Sequence, residues 1–257
     1  MLGNIIGDLA GSIYEFEQFS DCHEIKVDCI IRDNAFFSDD TILTIAIADA
    51  ILSHKPYEMK LREYGEKYRT YLPQAKPYFA TIFSPNFSKW LDSNEVGCSN
   101  GNGAMMRVAP VGFLFDNERD VKKNAKLATI PSHNCLEAIE NAKLIALIIF
   151  YLRKGLTKSE IIGKLNLKIT KPKLTKFNYT CGETINVCLY SFFNSNSFEE
   201  AIKLALSFGG DTDTNACIVG GMAEAKWGIS EELKQKALSF LPNEFKKILK
   251  KAYKPAI

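Results

Sequence analysis

Phe208-Gly209-Gly210-Asp211-Thr212-Asp213-Thr214-Asn215 runs directly into Ala216-Cys217-Ile218-Val219-Gly220-Gly221-Met222-Ala223-Glu224-Ala225. The second stretch is small or apolar and lacks proline, which predicts a closely packed helix. Gly209 and Gly210 give the backbone room to turn just before it. Two carboxylates flanking a hydroxyl therefore sit at a loop-to-helix junction. Their oxygens can cap free backbone N–H groups there, and the helix dipole favours negative charge. A cap needs only one aspartate. The second carboxylate adds like-charge repulsion unless a cation or a proton neutralises it. A hard cation is the reading this pattern favours, with a plain helix cap as its rival.

The same chemistry recurs about 170 residues earlier in Ser38-Asp39-Asp40-Thr41. Ile42 to Leu52 follow, apolar around most of the helix circumference, which predicts a central helix. If the two helix starts meet, four carboxylates and several hydroxyls converge. Oxygen-only ligands suit Mg²⁺, Mn²⁺ or Ca²⁺ rather than zinc, and two ions would balance four acids. Upstream, Gly3, Gly7 and Gly11 recur every fourth residue. On a helix they form a bare stripe, at a cost of roughly 1 kcal/mol each relative to alanine. Tight packing must compensate. Asp8 and Glu15 are acids in this otherwise small and apolar segment.

The remaining chain reads as helical. Amphipathic helices are expected over 57–72, 78–91, 119–130, 133–152, 183–193 and 198–207, with two short ones over 230–253. A lysine-rich helix and loop fill 158–180, and 25–31 hints at a short extended piece. No strand alternation or linker stands out, so one all-α domain over 1–257 is expected. The Asn100-Gly101-Asn102-Gly103 run allows left-handed backbone and exposes amides, as an anion-cradling loop needs. Arg107 adds a planar cationic donor. His133 could be a cap, a substrate donor or a general base. The chain has 257 residues, 46 % apolar and 24 % charged, as in ordinary globular proteins. A net charge of +2 argues against nucleic acid or an anionic membrane as obligate partner. Seven cysteines without a CxxC pair argue against zinc and fit a reducing compartment. The N-terminus lacks the features of a signal peptide, so a cytoplasmic location is expected.

Taken in order, Gly7-Asp8-Leu9-Ala10-Gly11-Ser12-Ile13-Tyr14-Glu15, Ser38-Asp39-Asp40-Thr41, Gly101-Asn102-Gly103-Ala104-Met105-Met106-Arg107, Ser132-His133 and Gly209-Gly210-Asp211-Thr212-Asp213-Thr214 resemble the ADP-ribosylglycohydrolase family. That family includes the ADP-ribosyl-acceptor hydrolases and the dinitrogenase-reductase-activating glycohydrolases. The resemblance spans roughly residues 3–228. It implies a compact orthogonal helical bundle acting as a monomer on ADP-ribosylated proteins or small molecules. It also implies two divalent cations, Mg²⁺ with Mn²⁺ as the alternative. In family terms Ser38, Asp39 and Asp40 match one ligand group, with Ser38 where threonine is frequent, and Asp211, Asp213 and Thr214 match the other. Glu15, Asp39 and Asp40 are the implied catalytic acids. Gly101, Asn102, Gly103, Arg107 and His133 match the substrate pocket. Segments 16–37, 73–100 and 165–182 are expected to choose the acceptor. Two rivals stand beside this reading. One is a non-catalytic ADP-ribose-binding or structural protein on the same fold. The other is a phosphohydrolase, since Asp211-Thr212-Asp213-Thr214 fits a DxDxT motif, although that motif normally follows a strand.

Overall fold

A computed structural model describes residues 1–19, 22–73 and 81–253. Among them every regular element is a helix, and the only bridges are isolated pairs, Cys98 with His133 and Gly101 with Thr180. The first half holds α1 (Leu2–Gly11), α2 (Glu15–Gln18), α3 (Asp39–Ser53), α4 (Tyr57–Lys67), α5 (Pro85–Leu91), α6 (Gly103–Met106) and α7 (Ala109–Leu114). The second holds α8 (Glu118–Thr129), α9 (Leu136–Arg153), α10 (Lys158–Leu165), α11 (Cys181–Phe193) and α12 (Phe198–Ser207). It ends with α13 (Thr212–Trp227), α14 (Glu231–Ser239) and α15 (Asn243–Ala252). No helix among the described residues is long and apolar enough to cross a membrane.

The glycine stripe explains the centre. α1 lies against α13, with backbone touching backbone. A Cβ built on Gly3 would lie 2.2 Å from the Gly220 carbonyl oxygen, and one on Gly7 2.0 Å from that of Ala216. One on Gly11 would lie 2.3 Å from the Asp213 amide nitrogen. Gly220 repays the contact, since its own Cβ would meet the Gly3 carbonyl. α13 is buried from Thr212 through Ala223, and α3 is buried along nearly its whole length. Helices apolar on all sides belong in the interior. α9 joins them there, buried continuously from Ile145 to Leu152. The first and thirteenth helices are thus neighbours because three glycines let them be.

Several boundaries differ from the sequence expectation. The 78–91 helix starts only at Pro85, where the Ser84 hydroxyl caps the Phe87 N–H and proline occupies the first turn. The part of that expectation over 78–80 lies outside the described residues. The 57–72 helix ends at Lys67. Residues 25–31 form no strand; the Ile25 N–H donates to the Ser207 carbonyl at 3.1 Å, but no ladder develops. His133 does not start α9, whose cap is Cys135.

Candidate metal centre and cavity

The two acidic helix starts meet. Ser38 caps α3, its Oγ accepting from the Asp40 N–H at 3.2 Å. Asp40 Oδ2 then accepts from Thr214 Oγ1 of α13 at 3.2 Å, across 174 residues of sequence, and from Ser38 Oγ at 3.3 Å. On the α13 side, carboxylate oxygens of Glu15, Asp211 and Asp213 all lie within 4.8 Å of one another. Asp39 faces the same cavity, half-buried. Gly209 and Gly210 both take positive φ, 71° and 70°, so the chain turns into α13 through the left-handed region.

Each acid is held by a specific neighbour. Asp211 Oδ2 accepts from Asn102 Nδ2 at 2.7 Å, and its backbone N–H donates to Asn178 Oδ1 at 2.9 Å. Asp213 Oδ1 accepts from the Thr214 N–H at 2.8 Å. Gln18 Oε1 accepts from the Gly210 N–H at 3.1 Å, tying the turn to α2. Asp8 is fully buried at the crossing of α1 and α3. Its Oδ2 accepts from the Ser38 N–H at 2.8 Å, the Thr41 N–H at 3.1 Å and Thr41 Oγ1 at 2.5 Å. Asp8 therefore caps α3 from another helix and fixes where Ser38, Asp39 and Asp40 stand.

The electrostatics are those of acids awaiting a counter-charge. Burial and then the Asp213 carboxylate hold the Asp40 and Asp211 carboxyls well above the usual range. Asp8, Asp39 and Asp211 push Asp40 further the same way. Asp8 is pushed up to about 7 by burial first and Asp213 second, against the pull of its Thr41 and Ser38 hydrogen bonds. Asp40 Oδ1 and Asp8 Oδ1 are buried without a hydrogen-bond partner among the described residues. Orphaned oxygens are costly unless something binds them. Crowded carboxylates, hydroxyls and the orphaned Asp40 oxygen at the cavity fit a hard divalent cation.

A cavity of about 370 Å³ opens beside the acids. That lies in the range of small-molecule sites. Its wall includes the Gly101–Gly103 loop, His133 and Arg107. All three segments expected to choose the acceptor border it, through Phe16 and Phe19, Ile82 to Phe87, and Phe177 and Tyr179. Phe19 stacks on Phe177 with centroids 4.1 Å apart. Asn102 turns inward rather than to the opening, bonding Asp211 and Thr184. Arg107 is 1 % exposed and reaches Ser132 Oγ at 2.7 Å and the Ala128 carbonyl at 3.3 Å. Burial draws its basicity down, to about 10.

Sequence reasoning passed over Asp8, Asn178 and Gln18 as parts of the site. An aspartate in a helix that packs on every side was the available signal for Asp8. Nothing in the sequence marks Asn178, between Phe177 and Tyr179, or Gln18, between Glu17 and Phe19. The DxDxT stretch follows the helix α12, not the strand that a phosphohydrolase of that type would supply.

The chain is similar to curated proteins along most of its length. It is 23 % identical over an alignment 308 positions long to ADP-ribosylhydrolase ARH3 of Danio rerio, covering 89 % of this chain and 82 % of that one. It is 22 % identical over 266 residues to ADP-ribosylarginine hydrolase Tri1 of Pseudomonas putida (strain GB-1), covering 90 % and 70 %. A solved structure described as an ADP-ribosylglycohydrolase-related protein complex shares the fold. Its TM-score is 0.69 at 21 % identity, over 98 % of this chain and 94 % of that one. The family model for ADP-ribosylglycohydrolase matches residues 1–253. With the helical fold and the joined acidic helix starts, that match places the chain in the ADP-ribosylglycohydrolase family.

Proposed function

We propose that this chain hydrolyses the bond between the ribose of ADP-ribose and an acceptor, releasing ADP-ribose, with Mg²⁺ as cofactor. The observation that carries the reading is the contact between Asp40 and Thr214, which joins two acidic groups distant in sequence at the floor of one cavity. Ser38, Asp39 and Asp40 from α3 and Asp211, Asp213 and Thr214 from α13 would hold two divalent cations. When bound, those ions would neutralise the acids and offer Lewis acidity toward ribose hydroxyls and a water.

The chain's own residues account for the rest. Breaking a glycosidic bond builds positive charge on the ribose ring. Glu15, at the start of α2 and on the cavity wall, presents a carboxylate that can stabilise this charge or move a proton. Asn102 keeps Asp211 in place rather than touching substrate itself. The Gly101–Gly103 loop exposes fewer amides than its sequence suggests, since the Gly101 N–H donates to Ser99 Oγ at 3.1 Å and the Asn102 N–H to the Tyr179 carbonyl at 2.9 Å, so of the three the Gly103 N–H is left for an anionic pyrophosphate. Arg107, though part of the cavity wall, is buried and spends its Nη2 on Ser132 Oγ and the Ala128 carbonyl. Phe19 and Phe177 offer a flat apolar surface at one side of the cavity.

The test is free ADP-ribose released from arginine-, serine- and DNA-linked ADP-ribose, with and without Mg²⁺. Arginine linkage comes first, since one relative carries it in its name. Mg²⁺-dependent release from any of the three supports the proposal. Tight ADP-ribose binding with no release from any of them would replace it with a binding role.

A further inference from the structure

We infer that Arg107 and Ser132 are positioning residues that fix the His133 side-chain proton on Nε2, so that the ring donates a hydrogen bond into the cavity and never acts as a base there. A guanidinium can only donate. Arg107 Nη2 lies 2.7 Å from Ser132 Oγ, so Ser132 accepts that bond. Ser132 Oγ also lies 2.8 Å from His133 Nδ1. Ser132 has a single proton of its own, and no other acceptor for it occurs among the described residues. It therefore donates to Nδ1. An Nδ1–H tautomer would leave the hydroxyl accepting twice, with its own buried proton unpaired.

The remaining nitrogen is the one that faces the loop. A Cβ on Gly103 would lie 3.4 Å from His133 Nε2, and one on Gly101 3.6 Å. Nε2 has no partner among the described residues, and His133 lines the cavity. The backbone that carries the ring is held as well, the His133 N–H donating to the Thr129 carbonyl at 3.0 Å. Burial and the nearby Arg107 charge both disfavour the imidazolium, holding His133 well below its usual range. Among the described residues no carboxylate hydrogen-bonds the ring to oppose them. A neutral Nε2–H beside the half-buried Gly103 backbone suits an anionic oxygen, such as that of a pyrophosphate. The tautomer follows from the hydrogen bonds alone; only the anionic recipient rests on the ADP-ribose reading.

Long-range ¹H–¹⁵N correlation spectra of histidine-labelled protein read tautomers directly. The chain has three histidines, and His133→Gln assigns the relevant signals by their loss. Wild-type protein should show a single neutral Nε2–H form from about pH 5 to 8. Ser132→Ala and Arg107→Met should each give a mixture of tautomers. Ser132→Ala should also weaken ADP-ribose binding about tenfold, the scale of one oriented bond to a charged group. A wild-type Nδ1–H form, or an imidazolium within that pH range, would overturn the inference without any variant. So would a pure Nε2–H form persisting in both variants. Failure of wild-type protein to bind ADP-ribose would remove the recipient and leave the tautomer to stand on its spectrum.

Discussion

Replacing Gly7 with alanine puts one methyl group where α13 already is. The added Cβ would lie 2.0 Å from the Ala216 carbonyl oxygen, 2.2 Å from its carbon and 2.5 Å from the Cys217 nitrogen. An ordinary C···O contact begins near ~3.3 Å. The helices must therefore part by about 1.3 Å, and all three obstacles are backbone, so no rotamer can yield. Overpacking of this kind costs about 3 kcal/mol or more, at the upper end of its usual range. Alanine returns about 1 kcal/mol of helix propensity. The net loss is about 2 kcal/mol, or a fall in Tm of roughly 4–8 °C for a protein this size. Gly163 is the control. It lies within α10 with nothing within 4 Å of its would-be Cβ. Gly163→Ala should stabilise by about 0.5–1 kcal/mol. Thermal melts of the two variants beside wild type decide the matter. The same parting shifts Asp213 against Asp40, so Gly7→Ala should also gain less Tm from Mg²⁺. A Gly7→Ala protein as stable as wild type would refute the backbone-to-backbone packing of α1 on α13.

Three further outcomes follow from the acids. Asp8→Ala strips three donors of their acceptor and should cost about 2–4 kcal/mol. Asp8→Asn keeps an acceptor oxygen and should cost clearly less; equal losses by urea unfolding would deny Asp8 its capping role. Asp40→Asn removes a buried carboxyl that burial and neighbouring acids penalise, so in EDTA near pH 7.5 it should melt above wild type yet respond less to Mg²⁺. A variant that melts lower in EDTA and responds fully would show that Asp40 is neither crowded nor a ligand. The pH dependence has a definite sign. Asp8, Asp40 and Asp211 have carboxyls raised in the folded state, so their protons stabilise the metal-free fold at low pH and are lost as pH climbs through the raised values. A cation must displace those protons. The Mg²⁺-induced rise in Tm should therefore grow from about pH 5.5 to 8. Melts showing a larger rise at the acid end would contradict it.

Much of this was legible because it rests on local pattern. Glycines at every fourth position needed a helix and a close neighbour, and α13 is rich in small residues. Two hydroxyl-and-acid clusters preceding apolar helices announced buried, negatively charged helix starts. What stayed hidden depends on contacts across the chain. Asp8 reads as a stray acid until α3 is laid across α1 and its amides point at the carboxylate. Asn102 sits in a run that suggests an open loop, yet its side chain turns inward because Asp211 and Thr184 offer it buried partners. Arg107 looked like a ligand-facing cation, but its longest reach ends at Ser132. The helix expected from residue 78 was overruled at Ser84-Pro85, where a cap and a proline set a start that periodicity alone places too early.

The most direct test is a crystal soaked in Mn²⁺ and examined by anomalous scattering. Two peaks are expected, enclosed by oxygens of Ser38, Asp39 and Asp40 on one side and Asp211, Asp213 and Thr214 on the other. No peak within coordinating distance of Asp40 and Asp213, in protein that releases ADP-ribose normally, would contradict the cation site on which the proposed chemistry depends.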